Sequence, residues 1–112
     1  MEIPELERKM KEAVNGIETV GHRYAEAKAL SWLLQEQRKV VLATQMAKSE
    51  AKSVNGKELE ALQSEAYKQH LEGTKEAIGE EHRLRATYEK YNAMFEGCRS
   101  LMSLTKKQME MI

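Results

Sequence analysis

From Leu84 onward one position recurs at alternating steps of four and three: Leu84, Tyr88, Tyr91, Phe95, Cys98, Met102, Thr105, Met109 and Ile112. Side chains at that spacing form a straight line along one face of a helix wound at 3.5 residues per turn. A helix carrying such a line must bury it against another helix. The first part of the chain supplies a partner of the same kind. Ile3, Leu6, Met10, Ala13, Ile17, Val20, Tyr24 and Ala27 alternate three and four as well. Pro4 suits the first turn of a helix, where its missing N–H is not needed, and Glu2, Glu5 and Glu7 complement the positive helix end. Gly16 and Gly21 interrupt the run at a cost of roughly 1 kcal/mol each against Ala, but the phase is unchanged across them, so one helix is expected.

After Ala27 the apolar pattern widens. Leu30, Leu33, Leu34, Val40 and Val41 keep helical spacing on a rotated stripe, while Trp32, Leu42, Ala43 and Met46 point to another side. A helix that is apolar over more than one face is buried by more than one neighbour. With Leu30, Leu34 and Val41 set against the partner helix, the other residues are left over. Trp32 has two readings, a core residue under the short middle segment or an anchor for a binding partner.

Periodicity fades over residues 48–56, and Asn55-Gly56 is a turn signal. Lys57 to Gln63 reads as a short helix, and Ser64 is a candidate N-cap for the next. Leu71 and Ile78 keep a seven-residue spacing across Gly73, which favours one helix over two. The expected fold is all-α: a single domain over residues 1–112, built as a long antiparallel, coiled-coil-like hairpin. Its helices cover about residues 4–48 and 65–111, with a short helical or irregular connection over 49–64.

The last helix has a second line, Gly79, Ala86, Ala93 and Ser100, at seven-residue intervals, with Gly97 beside it. It reads either as a neutral outer face or as a place where another backbone approaches closely. Taken with the leftover apolar residues, it leads to the expectation of a homodimer, two hairpins paired into a four-helix bundle. Trp32, Leu42, Met46, Gly79, Ala86, Ala93 and Gly97 are the interface candidates.

No chemistry is legible. None of His22, His70 and His82 completes the Glu-x-x-His motif of bundle metal sites, because Thr19, Tyr67 and Gly79 stand three residues before them. Glu18 and His22 form an i,i+4 pair of the kind common on helix surfaces. Cys98 lies on the seam, where a free cysteine serves as a small hydrophobe. There is no Gly-rich phosphate loop and no nucleophile with a base in context. The expectation is a non-enzyme, with no cofactor and no metal.

Lys plus Arg and Asp plus Glu number 18 each, so the formal charge is zero, which disfavours a nucleic-acid-coating role. Lys48, Lys52 and Lys57 around the connection are the one hint of phosphate contact. One cysteine precludes an internal disulfide and implies a reducing compartment. No segment reads as a signal peptide or a membrane span. A cytoplasmic protein that meets no membrane is expected.

The stretch Tyr67-Lys68-Gln69-His70-Leu71-Glu72-Gly73, followed by a charged heptad helix, resembles small all-helical proteins of unassigned function from tailed phages and prophages. The resemblance implies a bacterial or phage origin and a cytoplasmic accessory role, with no site residues to carry over. The function expected from the residues is a non-enzymatic interaction or adaptor protein that self-associates and binds a protein partner. The alternative is a nucleic-acid-associated accessory protein in recombination or genome handling.

Overall fold

The structure, a computed structural model, describes residues 2–111. It is all-α: α1 spans Ile3–Lys48, α2 spans Val54–Leu62 and α3 spans Glu65–Glu110. No strand occurs among the described residues. α1 starts one residue before Pro4, and its hydrogen-bond ladder begins with Leu6 N–H donating to the Glu2 carbonyl at 3.0 Å. Neither Gly16 nor Gly73 breaks its helix.

Capping explains the connection. The Ser53 hydroxyl accepts from Gly56 N–H at 3.0 Å and opens α2 at Val54. The Asn55-Gly56 pair, expected as a turn, therefore lies inside the first turn of a helix. A side-chain cap three residues upstream outweighs the local turn preference. Ser64 does the same for α3, accepting from Tyr67 N–H at 3.2 Å while donating to the Ala61 carbonyl at 2.6 Å. The Ser49 hydroxyl accepts from Ala51 N–H and donates to the Glu60 carboxylate, which ties the loop to α2.

The chain divides into two compact units: Met1–Ala25 with His82–Ile112, and Glu26–Glu81. In the first unit α1 and α3 pair antiparallel, for Gly16 lies under the Tyr91 ring and Gly21 beside Tyr88. Tyr24 and Tyr88 meet with ring centroids 5.6 Å apart at 37°. Every predicted α1 seam residue from Ile3 to Ala27 is buried or half-buried, with Leu6 and Ala13 fully so. On α3, Leu84 and Cys98 are buried and Tyr88, Tyr91, Phe95, Met102 and Thr105 half-buried. Met109, expected on the seam, is exposed. The register set by Gly16 and Tyr91 brings Ile3 opposite about residue 104, so α3 outruns its partner there. Ile112 lies outside the described residues.

In the second unit the seam keeps its phase but changes chemistry. Ser31, Leu34, Val41 and Gln45 on α1 and Tyr67, His70, Thr74 and Ala77 on α3 are among the covered positions. Ser31 is fully buried, and its hydroxyl accepts from Gln35 Nε2 at 3.0 Å. His70 Nε2 lies 2.8 Å from the Leu34 carbonyl. A carbonyl only accepts, so the proton sits on Nε2. Ser31 and Gln45 share the packed face with Leu34 and Val41, which were expected there, whereas Leu30, also expected on it, is 51% exposed.

Gly73 and Gly97 have nothing within 4 Å of where a Cβ would stand. Gly73→Ala and Gly97→Ala should each stabilise the helix by roughly 0.5–1 kcal/mol in chemical denaturation. A loss of stability at either position would reveal a contact that the isolated chain does not make.

Candidate interaction surface

The α1 residues of the second unit present an apolar outer face. Trp32 is 63% exposed, Val40 64% and Leu33 45%. Trp32 does not pack under α2, so the core reading for it fails: the seam runs through Ser31, and the next residue along is turned away from it. Leu42 and Met46, expected as leftovers, are half-buried. They sit next to the seam positions Val41 and Gln45, and seam packing covers part of each.

The small-residue line of α3 faces outward. Ala86, Ala93, Gly97 and Ser100 are exposed and Gly79 half-buried. In the first unit, Ala93, Met94, Gly97, Cys98 and Leu101 line a shallow open groove together with Lys9 and Glu12. Cys98 reaches it only marginally, being 6% exposed and free. A second shallow groove is formed by Met10, Val14, Phe95 and Met102 beside Glu7 and Lys11.

Among the described residues no three His, Cys, Asp or Glu side chains are grouped to hold a metal ion. Glu18 and His22 are both exposed. Lys48 and Lys52 are exposed beside the connection and Lys57 is half-buried, with Glu50 and Glu58 among them. No helix is long and apolar enough to cross a membrane among the described residues. No protein-family model, curated protein or solved structure matches the chain.

The exposed apolar residues of α1 are not scattered over a rotated stripe. Leu33 and Val40 lie on a second heptad line, Ala29, Leu33, Glu36, Val40, Ala43 and Ala47, which is exposed throughout, while Leu30 and Trp32 flank it. Leu30 and Leu34 are bulkier than the alanines of this line and dominate the hydrophobic pattern of the sequence.

Proposed function

We propose that the protein is a non-enzymatic helical interaction protein that self-associates and binds a protein partner, in the manner of a phage or prophage accessory factor. The observation that carries this reading is the second heptad line on α1. The same outer positions earlier in the helix are Glu5, Arg8, Glu12, Asn15, Thr19 and His22, all polar and exposed. That is how a solvated helix face is composed. From Ala29 the line becomes Ala, Leu, Val and Ala with a single charge, which is how a face that docks another helix is composed.

Only seven hydrophobic residues are buried among those described. Covering the outer face of α1 would add to a thin core.

The test is molar mass by light scattering across micromolar concentrations, for the wild type and for Trp32→Glu. The wild type is expected as a dimer, and the variant should shift toward monomer by at least tenfold in dissociation constant. A wild type that stays monomeric throughout refutes self-association. The lysines around the connection give nucleic-acid binding as the second reading. Retardation of DNA or RNA that weakens steeply with salt would favour it.

A further inference from the structure

Resting on the self-association reading, we infer the occupant and the polarity of the α1 outer face: a second copy of α1, antiparallel, about a two-fold axis near residue 38. Two observations lead there. The line Ala29, Leu33, Glu36, Val40, Ala43, Ala47 keeps strict four-three spacing over its whole length and is exposed throughout. A seam of that regularity is complementary to another helix lying along it, not to a loop or a strand. The charge on the face is self-complementary. Glu36 lies on the seam and Lys39 on its rim, both exposed, and no other charged residue lies on the seam or on the two rims beside it between Ala29 and Ala47.

Polarity follows from Glu36. In a parallel, in-register pair each Glu36 would face the partner's Glu36 in one layer, placing two carboxylates together in the interface. In an antiparallel pair with all six seam positions overlapped, Ala29 lies opposite the partner's Ala47 and Leu33 opposite the partner's Ala43. Glu36 then lies opposite the partner's Val40 and beside the partner's Lys39. The two-fold axis repeats the pair, so two glutamates and two lysines balance around it. Large residues also meet small ones, Leu33 with alanine, which suits close approach of the two helices. On the rim, Trp32 falls level with the partner's Thr44, two residues or about 3 Å along the axis from the partner's Met46.

The test uses position-specific cross-linking and charge reversal, read against the wild type. Residues near the axis lie close to themselves in the partner, while Ala47 is separated from the partner's Ala47 by ~27 Å along the axis. Gln37→Cys should therefore cross-link to itself with a short bis-maleimide, and Ala47→Cys should not. Both positions are exposed, so neither change disturbs the chain's own packing. Glu36→Lys and Lys39→Glu should each weaken the dimer roughly tenfold, and the combined E36K/K39E variant should recover most of that loss. Cross-linking at both cysteines indicates a parallel pair and overturns the inference. So does a dimer that is indifferent to both charge reversals, while leaving self-association standing. A wild type that is monomeric at every concentration overturns both.

Discussion

Leu6→Ala is expected to lower the unfolding free energy by about 3 kcal/mol, within the 2–5 kcal/mol range of buried leucine truncations. Leu6 is fully buried, the only large apolar side chain so completely covered among the described residues. Most seam positions around it are only half-covered, because a pair of helices shields each side chain from one direction. The loss therefore falls on one of the few sites where no water replaces the removed methyls. Stabilities of ordinary domains are about 5–15 kcal/mol, so the change is large in proportion, and a fall in melting temperature of about 10 °C should accompany it. Val54→Ala is the control. Val54 is 70% exposed, and its truncation should stay within about 0.5 kcal/mol. Equilibrium denaturation of both variants decides the matter. If Leu6→Ala leaves global stability unchanged and only removes hydrogen-exchange protection from the first turns of α1, that end opens independently of the rest.

The seams of the first unit were legible because every residue on them is apolar or small. Periodicity alone placed Leu6, Ala13, Leu84 and Cys98 in the core. In the second unit the same phase continues through Ser31, Gln45, His70 and Thr74, and hydrophobicity no longer marks it. Ser31 belongs in the core by position and outside it by chemistry. Its neighbours Leu30, Trp32 and Leu33 are the reverse. A reading that follows apolar residues therefore turns the packed face toward Leu30, whereas the backbone holds the line set by Tyr24 and Ala27. Helix boundaries at Ser53 and Ser64 were decided by side-chain caps, of which Ser64 was visible and Ser53 was obscured by the Asn-Gly signal beside it. The candidate surface was half-legible. Trp32 stood out as a lone tryptophan and Ala43 with it, but the alanines at 29 and 47 that complete the neighbouring line carry no signal until exposure singles them out.

Gly16 illustrates how a residue that looks like a flaw in a helix acquires a role from its partner. By propensity alone Gly16→Ala should stabilise α1 by roughly 1 kcal/mol. The structure gives the opposite expectation. A Cβ at this position would lie 2.5 Å from two carbons of the Tyr91 ring and 2.6 Å from a third, the ring carbon nearest the backbone. Rotating the far end of the side chain does not clear such a contact, so the ring or the whole helix must move. Overpacking of this kind costs about 1–3 kcal/mol, and after the propensity gain Gly16→Ala should still destabilise by about 1 kcal/mol. A double-mutant cycle isolates the cause. With Tyr91→Ala the ring is gone, and adding Gly16→Ala to that background should then stabilise, which reverses the sign of the same substitution. The comparison with Gly73→Ala sharpens it, since that glycine meets nothing within 4 Å and should gain in either background. A Gly16→Ala that stabilises in the presence of Tyr91 would show that the ring does not lie over this glycine and would move the register of α1 against α3.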